Sequence, residues 1–124
     1  MKPQRPIHLN LLKIRFPLPA IVSILHRASG VLMFLFIPLL LWLLSSSLAN
    51  ESAFDHIHQC IRMPMIAFLI WVMLSALWFH LVAGIRHLCM DAGIGESLIG
   101  GRIGAYLVLI FSTLGIALAG VWLW

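Results

Sequence analysis

The sequence predicts an all-α integral membrane protein with three transmembrane helices and a cytoplasmic N-terminus. Three observations carry this. Of 124 residues, 62% are hydrophobic and only 10% are charged, whereas a water-facing domain carries about 25% Asp, Glu, Lys and Arg. Three apolar stretches each reach the length of about 20 residues that a bilayer crossing needs. Finally, Lys2, Arg5, Lys13 and Arg15 sit immediately before the first stretch, where charges retain a terminus on the cytoplasmic side. A net charge of +4 placed this way is a membrane-retention pattern. It does not suggest a nucleic-acid partner, which would need a basic face on a folded surface. The length leaves no room for a nucleotide-binding or hydrolytic domain beside three spans, so chemistry beyond a bound cofactor falls to partner chains.

Residues 1–19 form a basic, proline-punctuated segment. Pro17 and Pro19 disfavour helix in the residues before them, which starts the first span near residue 20. It runs over 20–48, with no charged residue between Gly30 and Leu48 and an expected kink at Pro38. It outlasts the apolar core of a secretion signal and lacks a small-residue cleavage site, so it is expected to act as an uncleaved anchor. Residues 49–62 form a polar connection on the periplasmic side, containing Glu51, Asp55, His56 and His58. Pro64 suits the first turn of the second span, which covers 63–88. Residues 89–102 form a glycine-rich cytoplasmic loop with Gly93, Gly95, Gly100 and Gly101. The third span covers 103–124 and ends in Trp122 and Trp124, residues that favour the membrane surface. Cys60 and Cys89 fall at opposite ends of the second span, too far apart to pair.

Ionisable residues inside spans are costly and mark paired or functional sites. Ser23, His26, Arg27 and Gly30 recur at i, i+3, i+4 and i+7, which places them on one face of the first helix. A hydroxyl, an imidazole, a guanidinium and a gap there suit a cavity or a polar ligand better than acyl chains. A lone arginine near a helix end would merely snorkel to headgroups; four co-facial groups favour a site. In the second span, His80 lies about 9 Å of helix inside Arg86. Ala76, His80 and Gly84 share a face, so small residues flank an imidazole and leave room for a flat ring. The simpler reading is a histidine that hydrogen-bonds across helices. Both groups lie at similar depth, which points to one composite site that also takes in Arg86. His56 and His58 lack a third ligand, and the small residues Ser112, Gly115, Ala119 and Gly120 mean close helix contact.

The strings Arg15-Phe16-Pro17, Ser23-Ile24-Leu25-His26-Arg27-Ala28-Ser29-Gly30 and His80-Leu81-Val82-Ala83-Gly84-Ile85-Arg86-His87 through Asp91 carry a specific likeness. Together with three spans and a matching length, they make the whole chain resemble the cytochrome b556 membrane-anchor family of bacterial succinate dehydrogenase. The resemblance implies a multi-pass subunit of the bacterial inner membrane. It implies haem b shared with a second three-helix membrane subunit, and a flavoprotein and an iron–sulfur protein docked on the cytoplasmic side. Electrons from succinate would pass to ubiquinone. It further implies His80 as the axial haem ligand, Ser23 and Arg27 at the quinone site, and His26, Arg27 and Arg86 near the haem propionates. Two other readings share the scaffold: a quinol:fumarate reductase anchor running in reverse, and a structural three-helix protein without cofactor. A transport path ranks below these, because the outer halves of the spans are nearly pure hydrocarbon.

Overall fold

The computed structural model describes residues 14–124; Lys2, Arg5, His8 and Lys13 lie outside the described residues. Four helices follow in chain order: α1 (Leu18–Ser47), α2 (Glu51–Ile61), α3 (Pro64–Asp91) and α4 (Leu98–Leu123). By length and composition α1, α3 and α4 can each cross a membrane. α1 passes through Pro38 without a break in assignment. Both α1 and α3 carry proline in the first turn, where a missing N–H leaves no bond unmade.

The connection expected as a polar loop over 49–62 is itself helical. Asn50 caps α2 by accepting a hydrogen bond from the Ala53 backbone N–H at 2.8 Å, which satisfies one of the free amides of the first turn. Ala53, Ile57, Cys60 and Ile61 recur at i, i+4, i+7 and i+8 and are the less exposed positions of α2. That narrow apolar stripe is an amphipathic signature; the charged and histidine residues around it hide it from a reading of polarity alone. Cys60 thus belongs to α2 and not to the second span, and both cysteines are free thiols.

The second connection is shorter than the expected 89–102. The Ile94 N–H donates to the Cys89 carbonyl at 2.8 Å and the Gly93 N–H to the Met90 carbonyl at 2.9 Å. With Gly93 at φ +81°, this is the glycine-terminated helix end in which a left-handed residue lets the chain close over the last carbonyls. Ser97 then caps α4 by accepting from the Gly100 N–H at 3.0 Å. A Cβ at Gly100 would fall 2.9 Å from Gly95 Cα, so the turn closes only with a bare backbone there.

Where α1, α3 and α4 converge, Val22, Ala83, Ala105 and Val108 are buried, with Leu18, Phe79, Val82 and Leu109 packed around them. Elsewhere large side chains such as Phe34, Leu41, Leu114 and Val121 are exposed. In water, patches of this size would drive aggregation. Lipid removes that penalty, and helix association then rests on close packing and interhelical hydrogen bonds. On α4 this takes the form of small or slender residues at Ala105, Val108, Ser112 and Gly115, whose alternating spacing of three and four keeps one seam against α3. Two indoles from α3 lie in that seam. Trp78 Nε1 donates to the Phe111 carbonyl and Trp71 Nε1 to the Ile116 carbonyl, both at 3.0 Å.

Candidate functional site

The α1–α3 seam is built differently. His26 and His80 stack with ring centroids 4.0 Å apart and planes inclined by 24°, and His87 follows at 5.0 Å from His26. These three imidazoles meet because His80, Ala83, Gly84 and His87 lie on the α3 face toward α1. Val22, His26 and Ser29 answer from α1 at helical spacing. The contact lies about 12 Å of helix from the start of α1 and about 17 Å from the end of α3. It is therefore well inside the span.

One imidazole is held with a defined tautomer. His80 Nδ1 lies 3.0 Å from the His26 carbonyl oxygen and 3.0 Å from Ser29 Oγ. Ser29 Oγ donates to the same carbonyl at 2.7 Å. A carbonyl oxygen only accepts, so Nδ1 carries a proton, and the neutral imidazole then offers its lone pair at Nε2. A backbone carbonyl behind the distal nitrogen is the arrangement that orients histidine ligands and raises their basicity. Ser29 is 8% exposed and is the functional residue that the sequence reading passed over. The signal was present: it follows His26 by three residues and Val22 by seven, on the packed face of α1.

Two glycines set the geometry. A Cβ at Gly30 would come 3.0 Å from His80 Cε1, and one at Gly84 would come 3.5 Å from His26 Nε2. The gap beside His80 on α3, expected to admit a flat ring, is therefore filled by the His26 imidazole of α1. A flat ring held by His80 would have to lie outside the α1–α3 seam. His26 Nε2 is buried without a partner among the described residues.

The four-residue stripe on α1 divides. His26 and Gly30 meet α3. Arg27, about 100° around the helix from His26, is exposed, and Ser23, one turn before Arg27, is half-buried. Ser23 and Arg27 thus form a polar flank beside the histidine stack. Arg86 is not brought to this cluster. Expected near haem propionates with His26 and Arg27, it turns instead to α4, where Nη2 donates to the Gly101 carbonyl at 3.2 Å and the stem crosses Gly104. Arg86 lies six residues after His80, which rotates it about 120° from the imidazole. Nearness along a helix does not give an equal face.

Among the described residues no three His, Cys, Asp or Glu converge as they would around a bare metal ion. The donor set fits haem iron differently. A haem would bring its own porphyrin nitrogens, so a single imidazole such as His80, with Nδ1 bonded to α1, would suffice from this chain.

Residues 1–119 match the family model described as succinate dehydrogenase/fumarate reductase transmembrane subunit. The succinate dehydrogenase cytochrome b556 subunit of Coxiella burnetii is 49% identical over 125 residues, covering all of both chains. That of Paracoccus denitrificans is 36% identical over 91 residues, 73% of this chain and 70% of the relative. That of Rickettsia felis is 33% identical over 115 residues, 91% of this chain and 86% of the relative.

Proposed function

The chain belongs to the succinate dehydrogenase/fumarate reductase transmembrane subunit family, and from that premise we propose that it anchors a succinate:quinone oxidoreductase in the bacterial inner membrane. In this reading it holds haem b together with a second three-helix membrane subunit, and it forms part of the ubiquinone-reduction site. The flavoprotein and iron–sulfur subunits that oxidise succinate dock at the cytoplasmic end, where α1 begins and α3 ends. The names of the relatives favour succinate oxidation over the reverse, fumarate-reducing direction.

The observation that carries the proposal is the His80 imidazole, fixed by its Nδ1 bonds to α1 with Nε2 left free. His80 Nε2 would hold the haem iron, and a second ligand would come from the other membrane subunit. Bound haem supplies a one-electron centre inside the bilayer. His26 packs against His80 and holds its plane. Ser29 and the His26 carbonyl keep the proton on Nδ1.

Ser23 and Arg27 carry the quinone chemistry. Reduction of a quinone to a quinol takes two electrons and two protons, so negative charge builds on a carbonyl oxygen before protonation is complete. Arg27 stabilises that charge from the edge of a low-dielectric region, as a preorganised donor. The Ser23 hydroxyl donates to a quinone oxygen and orients the ring. The remaining contacts come from partner subunits, since this flank offers only two polar side chains.

The test uses the assembled complex. His80→Ala is expected to abolish the b-type signal in a reduced-minus-oxidised spectrum. Arg27→Ala should lower quinone reduction about a hundredfold, the scale for loss of one such donor, while succinate oxidation by an artificial acceptor persists. An unchanged haem spectrum in His80→Ala would defeat the ligand assignment. Equal loss of both activities in Arg27→Ala would reveal an assembly defect instead.

A further inference from the structure

The α3–α4 seam buries one charge that neither helix packing nor the proposed redox site uses. Arg86 is 9% exposed and lies about 7.5 Å of helix before the end of α3. Its one hydrogen bond among the described residues runs to the Gly101 carbonyl. Nε, which faces the notch left by Gly104, has no partner there. A buried cation held by a single carbonyl is costly unless an anion completes it. Asp91 and Glu96, the acidic residues at this end, are exposed.

Beside the guanidinium runs a groove of about 340 Å³ between α3 and α4, with Arg86, Ile85, Gly104, Leu107 and Phe111 among its walls. Ile85, Leu107 and Phe111 are each about half exposed, so the groove opens away from this chain's own three-helix core. From Gly101 to Phe111, α4 descends about 15 Å. The groove therefore has a cation within about two turns of the end of α3 and hydrocarbon walls along α4.

We propose that this groove binds one glycerophospholipid, with its phosphate on the Arg86 guanidinium and one acyl chain along Leu107 and Phe111. A phosphodiester joined to a hydrocarbon tail matches both halves of the groove. A carboxylate from a protein partner would match only the charge. The surrounding formal charges, Arg102 against Asp91 and Glu96, give no positive excess beyond Arg86 itself. Recognition thus rests on the phosphate, and phosphatidylglycerol and phosphatidylethanolamine bind alike.

Native mass spectrometry of the detergent-purified, delipidated complex, resupplied with either of those two lipids, counts the bound molecules. Arg86→Met and Leu107→Trp are each expected to hold one phospholipid fewer than wild type with both headgroups. Retention should be about tenfold weaker, as loss of a charge-assisted bond implies. If Arg86→Met does not assemble, Leu107→Trp, at the half-exposed rim of the groove, decides alone. Equal lipid counts in Leu107→Trp and wild type overturn the proposal, as does a wild-type complex that takes up no phospholipid. Loss of haem absorbance in Arg86→Met with an unchanged lipid count overturns it too, by placing a cofactor carboxylate on the guanidinium. Lipid count is read independently of haem and quinone activity, so this proposal and the redox assignment fail separately.

Discussion

The two histidines between α1 and α3 and the two indoles between α3 and α4 solve the same problem in opposite ways. Each pair brings polar side chains into hydrocarbon. In the α3–α4 seam the two indoles donate to helix carbonyls of α4, and glycines 115 and 120 make room for the rings. An indole has one donor, and here it is used. In the α1–α3 seam an imidazole uses only one of its two nitrogens on the fold. The other is left over, and its neighbour His26 likewise buries an unpartnered Nε2. His26 Nε2, buried without a partner among the described residues, makes no hydrogen bond that serves packing, whereas a bonded indole needs no other. Ring for ring, the histidines and indoles are thus sorted by what their atoms leave unsatisfied; Arg86 Nε and Ser112 Oγ, in the α3–α4 seam, are likewise buried without partners among the described residues.

Substitutions can break or sharpen this contrast. The largest effect is expected from Gly115→Ala, because the added Cβ would overlap the Trp78 indole. Overpacking of this kind costs about 1–3 kcal/mol, and the complex should melt earlier in detergent while any haem retained keeps its normal spectrum. A spectral change equal to that of a site variant would erase the division between the two seams. Next comes Gly30→Ala. Its methyl would press on His80 Cε1 at 3.0 Å, so the imidazole must tilt by a few tenths of an ångström. The expected readout is a shifted haem spectrum or midpoint potential with little loss of thermal stability; the reverse pattern would assign Gly30 to packing alone.

The smallest effects offer the finest comparison. Ser29→Ala and Trp78→Phe each remove one interhelical hydrogen bond, a loss of about 0.6 kcal/mol in a membrane protein. Trp78→Phe adds the cost of a smaller ring in its notch. Only Ser29→Ala is expected to move the haem potential, since only Ser29 touches the nitrogen opposite the proposed donor. Parallel changes in both variants would show that stability, not ligand tuning, is being measured.

Much of this was legible beforehand. Composition alone identifies lipid as the solvent, because a chain with 10% charged residues cannot wet a globular surface. The three spans follow from apolar run lengths, although α3 runs past its expected end at 88 to Asp91 and α4 begins at Leu98, before the expected 103. His80 stands out because an imidazole in an apolar run is expensive, and the two motif strings place the chain in its family. The helix over 51–61 was hidden only by its polar content. The faces were not legible. Hydrophobic periodicity marks the buried side of a helix in water, but α1, α3 and α4 are apolar all round, and lipid and protein interior are equally apolar neighbours. Only tertiary packing could turn Arg86 toward α4, set His26 in the Gly84 notch and bring Ser29 to His80 Nδ1. Those choices follow from which small residues let two backbones approach, and that is a property of the pair of helices, not of either one.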